Sequence, residues 1–85
     1  MKFIRKPVEV EAVQWWSNDY EDNKEFFDRC GNKIAIACDP GDYYEAIVHG
    51  NDYWLMGGDW VILEEGVGVY SCSDEYFQQH FEVQP

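Results

Sequence analysis

Three pairs of adjacent large aromatic residues, Trp15-Trp16, Tyr43-Tyr44 and Tyr53-Trp54, constrain the fold of this chain more than any other feature. Each pair lies in or beside a segment whose pattern predicts a strand. Successive side chains on a strand point to opposite faces. One member of each pair therefore meets a core. The other needs a second covering layer, or else forms part of a surface that uses it. Helices over both faces of the sheet would satisfy the first demand. Exposed Trp and Tyr ringed by acids, the anatomy of a protein-binding hot spot, would satisfy the second.

The strands and helices follow from local pattern. "PVEVEAVQWW" (Pro7 to Trp16) alternates apolar and acidic residues, and a phase slip after Ala12 predicts a bulge there. "SNDYEDNKEFFDRCGN" predicts the main helix. Asn18 and Glu21 are spaced as a capping box, Tyr20, Phe26, Phe27 and Cys30 form the apolar stripe, and Gly31 is the stop. "KIAIAC", "YYEAIVH", "YWLM", "DWVILEE" and "GVGVYSC" predict five further strands, separated by turn residues at Asp39–Asp42, Gly50–Asp52 and Gly57-Gly58. "SDEYFQQHFEVQP" predicts a short C-terminal helix with Ser73 as N-cap and Phe77 and Phe81 one turn apart, then a terminal strand over Phe81 to Val83. The expected architecture is a single α+β domain over residues 1–85. It comprises a curved antiparallel sheet or partly open small barrel, one main helix and a short C-terminal helix.

Charge then bounds the partners. Seventeen acidic residues against six basic give a net charge of −11, and no Lys or Arg follows Lys33. An acidic disordered tail would be poor in aromatics, whereas 18% of this chain is Phe, Trp or Tyr, so it folds. Contact with a phosphate backbone needs clustered cations, so direct nucleic-acid binding is not expected. Such a surface favours basic partners instead, including a protein that ordinarily holds nucleic acid.

Chemistry-bearing motifs are scarce. Cys30, Cys38, Cys72, His49 and His80 share no metal-ligand spacing, and three cysteines, an odd number with no close pair in sequence, do not read as a secreted disulfide framework. Cys72 before Ser73-Asp74 is the one tempting nucleophile, because a helix start lowers a thiol's pKa, but no motif supplies its base. Paired carboxylates carry no information in so acidic a chain. No phosphate-binding glycine loop is present. "MKFIRKPVEVEA" has too short an apolar run for a signal peptide, and no stretch approaches membrane-spanning length. The expectation is a cytoplasmic, non-enzymatic protein without metal or cofactor.

The ends of the chain resemble a group of small bacteriophage and prophage proteins. The resemblance rests on Lys6-Pro7 followed by Ala12-Val13-Gln14-Trp15, on Gly58-Asp59-Trp60-Val61-Ile62, and on Cys72-Ser73-Asp74 with Phe77. It covers about half the chain and leaves the acidic middle unmatched. It implies a phage accessory protein acting in the host cytoplasm, and it brings no common activity with it.

Two functions follow as expectations. In the first, the protein binds and modulates a host protein, as an inhibitor or nucleic-acid mimic. Trp16, Tyr43, Tyr44, Tyr53 and Trp54 supply contact, and Asp39, Asp42, Glu45, Asp52, Glu64 and Glu65 steer the encounter. In the second, the aromatic pairs line a pocket that sequesters a nucleotide-like signal, with Arg5 and Lys6 holding phosphate and a homodimer bringing the basic clusters together. A minor structural or assembly role in the particle ranks below both.

Overall fold

The computed structural model describes residues 10–38, 43–50 and 52–82. The architecture is α+β: two three-stranded antiparallel sheets and two seven-residue helices. The sheets are not closed into a barrel. One runs β1-β5-β6, from Glu11–Gln14, Trp60–Glu64 and Gly68–Cys72; the other runs β2-β3-β4, from Ile34–Cys38, Tyr44–Val48 and Tyr53–Trp54.

The predicted bulge at Ala12 is absent. β1 pairs with β5 without interruption, from Glu11 opposite Leu63 to Gln14 opposite Trp60. The phase slip is explained by where the strand begins, at Glu11; Val8 and Glu9 lie outside the described residues. Beyond Gln14 the ladder continues through Trp15, whose N–H donates to the Asp59 carbonyl at 2.6 Å and whose carbonyl accepts from Gly58 N–H at 2.8 Å.

The predicted main helix is a composite. Ser17–Asp19 and Glu21–Asn23 form 3₁₀ turns, and α1 proper spans Lys24–Cys30. Asn18 makes no capping bond, because the α-helix begins one turn later than the capping-box spacing implies. The apolar stripe is as expected: Phe26, Phe27 and Cys30 are buried, and Gly31 ends the helix at φ 62° with its N–H on the Asp28 carbonyl. Arg29 pairs with Glu11 on β1 rather than along its own helix. Both partners are about half exposed, so the pair adds little stability.

Inner faces of both sheets share one core with α1. Trp15, Phe26, Phe27, Cys30, Ile34, Ala46, Val48, Leu55 and Val61 form a single cluster. Trp15 meets Phe27 edge-on at 5.6 Å, and Phe26 meets Phe27 the same way at 5.3 Å, geometries that add to area burial. The second face of β1-β5-β6 is also covered. Helix α2 (Asp74–His80) stacks Phe77 on Trp60 at 3.8 Å, and Ile62 between the strands is fully buried. Ser73 Oγ caps α2 by accepting from Tyr76 N–H, and Asp74 Oδ1 accepts from the Trp60 indole at 2.8 Å. No strand forms at Phe81 or Glu82; Val83 lies outside the described residues.

Phe27→Ala removes the ring that joins Trp15 to Phe26 and leaves a cavity at the centre. It is expected to cost about 3–5 kcal/mol, a large share of the stability of so small a domain, measured by urea unfolding.

Candidate surface for protein contact

The aromatic pairs divide as strand geometry requires. Trp15 is buried and Trp16 is exposed. Tyr44 packs inward on Tyr20 at 4.7 Å, while Tyr43 is 56% exposed. Tyr53 lies opposite Val48 on the inner side of its sheet, and Trp54 lies opposite Ile47 on the outer side, 55% exposed. Alternation places Glu45 and Ile47 of β3, and Tyr43 just before it, on that outer side with Trp54, and Ala35 and Ala37 of β2 beside them. No element among the described residues covers this face. Where β4 ends, Tyr43, Tyr44, Glu45, Trp54 and Leu55 line a shallow groove of about 260 Å³.

Two tethers hold the groove walls. The Tyr44 N–H donates to Ser17 Oγ at 2.7 Å, and its hydroxyl donates to Glu21 Oε1 at 2.9 Å. Tyr44, expected as an outer contact residue, instead packs its ring against the core edge on Tyr20, while still lining the groove. Trp16 lies apart from the groove, its ring over the Gly57-Gly58 turn. A Cβ on Gly57 would meet that ring at 3.3 Å, and Gly58 sits at φ 96°. Exposed Met56 adjoins it.

Asp59, which opens the predicted strand "DWVILEE", is the hub of this region. It is buried, and its Oδ2 accepts both the Met56 N–H and the Tyr53 hydroxyl, each at 3.0 Å. That bond, with burial and the carboxylate's charge behind it, raises the Tyr53 phenol above its ordinary value. Tyr53 is thus held by the turn rather than presented freely.

The acids are scattered. Glu45 lies on the outer face; Asp52 sits in the β3–β4 turn, 3.8 Å from His49 Nδ1; Glu65 is exposed in the β5–β6 turn. Glu64 is corrected as a steering residue: it is buried and accepts from the Tyr70 hydroxyl at 2.9 Å. Asp39, Asp42, Arg5 and Lys6 lie outside the described residues.

Cys72 is not an activated thiol. Burial, Asp59 and Asp74 all push its pKa up, opposite to the lowering that its place before α2 suggested. Burial likewise raises Cys30, partly offset by Arg29. Among the described residues no three His, Cys, Asp or Glu side chains converge to hold a metal ion, and no helix is long and apolar enough to cross a membrane.

Sequence reasoning missed Met56 and the two alanines of the outer face. The alanines were legible: in Ile34-Ala35-Ile36-Ala37 the period-2 alternation of large and small residues marks a face without large side chains. Comparison with protein-family models, curated proteins and solved structures finds no significant match to this chain.

Asp59→Ala leaves the Met56 N–H and the Tyr53 hydroxyl without their acceptor and is expected to cost about 1–3 kcal/mol. In Asp59→Asn the Tyr53 titration, followed by phenolate absorbance, moves back down. Since folding raises this pKa, its stabilising share is full below the ordinary phenol value. It is lost as pH rises through the raised one.

Proposed function

We propose that the protein is a non-enzymatic phage or prophage accessory protein of the host cytoplasm, which binds and modulates a basic host protein through the outer face of the β2-β3-β4 sheet. One observation carries this reading. Tyr43 and Trp54, both more than half exposed, flank Glu45 on a sheet face that no described element covers. Tyr and Trp are the side chains that concentrate contact energy in protein interfaces, and desolvating their rings against a partner is favourable. The net charge of −11 favours encounter with a basic surface and speeds it at low salt. If that partner handles nucleic acid, the acids act as a mimic of its phosphates.

The groove also suits an aromatic small ligand by shape, but its charge opposes a nucleotide. Glu45 is the charged residue among those lining it, and a carboxylate repels phosphate. Protein binding is therefore preferred.

Capture from bacterial lysate is expected to enrich a basic protein at low salt and to lose it as salt rises. With that partner purified, Tyr43→Ala and Trp54→Ala each weaken binding by at least about tenfold, with far-ultraviolet circular dichroism unchanged. Binding that resists both salt and the two substitutions would overturn the proposal.

A further inference from the structure

β2 is an edge strand. Its sheet runs β2-β3-β4, and among the described residues no strand lies along its other side. The His49 N–H donates to the Lys33 carbonyl at 2.9 Å, which fixes the phase of the β2–β3 ladder. Because an antiparallel ladder alternates, the Lys33 carbonyl and the backbone groups of Ala35 and Ala37 turn toward β3, and Ile34 and Ile36 turn theirs to the outer edge. Natural sheets defend such an edge with charge, proline or a bulge. Ile34–Cys38 has none of these: its five residues pair with β3 in unbroken register and none is charged.

We propose that this edge pairs with the same edge of a second copy, antiparallel across a two-fold axis, joining two three-stranded sheets into one of six strands. Charge selects the occupant. Any two copies of a chain at −11 repel, yet β2 brings no charge of its own to the contact. The register that sets Ile34 against Ile36 of the second copy centres the axis on Ala35, so Ala35 meets its own counterpart. The same register sets Lys33 opposite Ala37 of the second copy.

In the second copy Ala37 is paired with Glu45, so Lys33, the last residue of the 3₁₀ turn Gly31–Lys33 that leads into β2, falls in one row with Ala37 and Glu45. Both charged residues are exposed, and the alanine between them is too small to intervene. The row spans two strand spacings, about 10 Å, within the combined reach of a Lys and a Glu side chain. The pairing occurs twice by symmetry. Within one copy it is out of reach, since Lys33 and Glu45 stand four residues apart along the ladder, about 13 Å. The arrangement thus gives an otherwise self-repelling chain two complementary contacts with its own copy.

The test is the mass of the full chain in solution, by sedimentation and light scattering across concentration. A dimer is expected. Ala35→Lys and Ala35→Glu, each bringing like charges face to face at the axis, weaken it by at least about tenfold, and mixing the two variants restores association. Ala35 is exposed, so neither change disturbs the core, and near-ultraviolet circular dichroism checks the fold. Lys33→Glu and Glu45→Lys weaken the dimer singly, and the double exchange recovers it. A chain that stays monomeric at high micromolar concentration, or a dimer indifferent to charge at Ala35, overturns the proposal. This inference does not rest on the proposed function. Tyr43→Ala and Trp54→Ala leave the dimer intact, so loss of partner capture and loss of dimer are read separately.

Discussion

Trp15 is the residue on which the rest of the structure depends. Its backbone extends the β1–β5 ladder to the Gly58-Asp59 turn, and its ring reaches Phe27 of α1 and Tyr20 of the preceding turns. One residue thus ties the first sheet to the helical segment, and through Tyr20 and Tyr44 to the second sheet. Facing Trp15 inward forces Trp16 outward. The chain accommodates that ring by laying it over two glycines, the first of which has no room for a Cβ without crowding it. The turn beneath is then pinned by Asp59, so the inward choice at one position determines the local structure of three segments.

The distribution of cover follows from counting faces. Two sheets present four. Two pack with α1 around the common core, and α2 covers a third. A helix of seven residues has little stability alone. It is held by the Trp60–Phe77 stack, the Ser73 cap and the Asp74 bond, which also lowers the Asp74 pKa. For the fourth face no described element remains. The exposure of Trp54 and Tyr43 is thus a consequence of architecture, and the small side chains of Ala35 and Ala37 leave that face flat.

Much of this was legible from side-chain alternation. The split of each aromatic pair between an inner and an outer face, the apolar stripe of α1, the Gly31 stop and the Ser73 cap all depend on local pattern, and local pattern is what a sequence displays. The α+β class followed from the same signals. What was not legible depends on contacts between distant segments. Asn18 and Glu21 have capping-box spacing, but Ser17 and Glu21 are taken up by Tyr44, 27 and 23 residues away, and the chain there winds as 3₁₀ turns. Glu64 looked like one acid among many until Tyr70, brought beside it by the β5–β6 hairpin, supplied a hydroxyl that makes its burial tolerable. The division of strands between two sheets was hidden for the same reason, since alternation identifies a strand but not its neighbour.

The acidic composition bears on how an uncovered apolar face can be kept at all. Exposed aromatic residues and an undefended edge strand are both invitations to nonspecific association. A net charge of −11 opposes close approach of copies in most orientations. That repulsion is weakest where the local surface is uncharged, as along β2, whose five residues carry no charge. Charge elsewhere therefore acts as a filter on contact here. In the proposed reading it discourages random encounters, admits basic surfaces, and favours the geometry in which a second copy brings Lys33 toward Glu45 rather than acid against acid. On this view the acids and the aromatics are parts of one device. In the proposed reading the aromatics and the uncharged strand edge provide adhesion, and the charge around them decides to what.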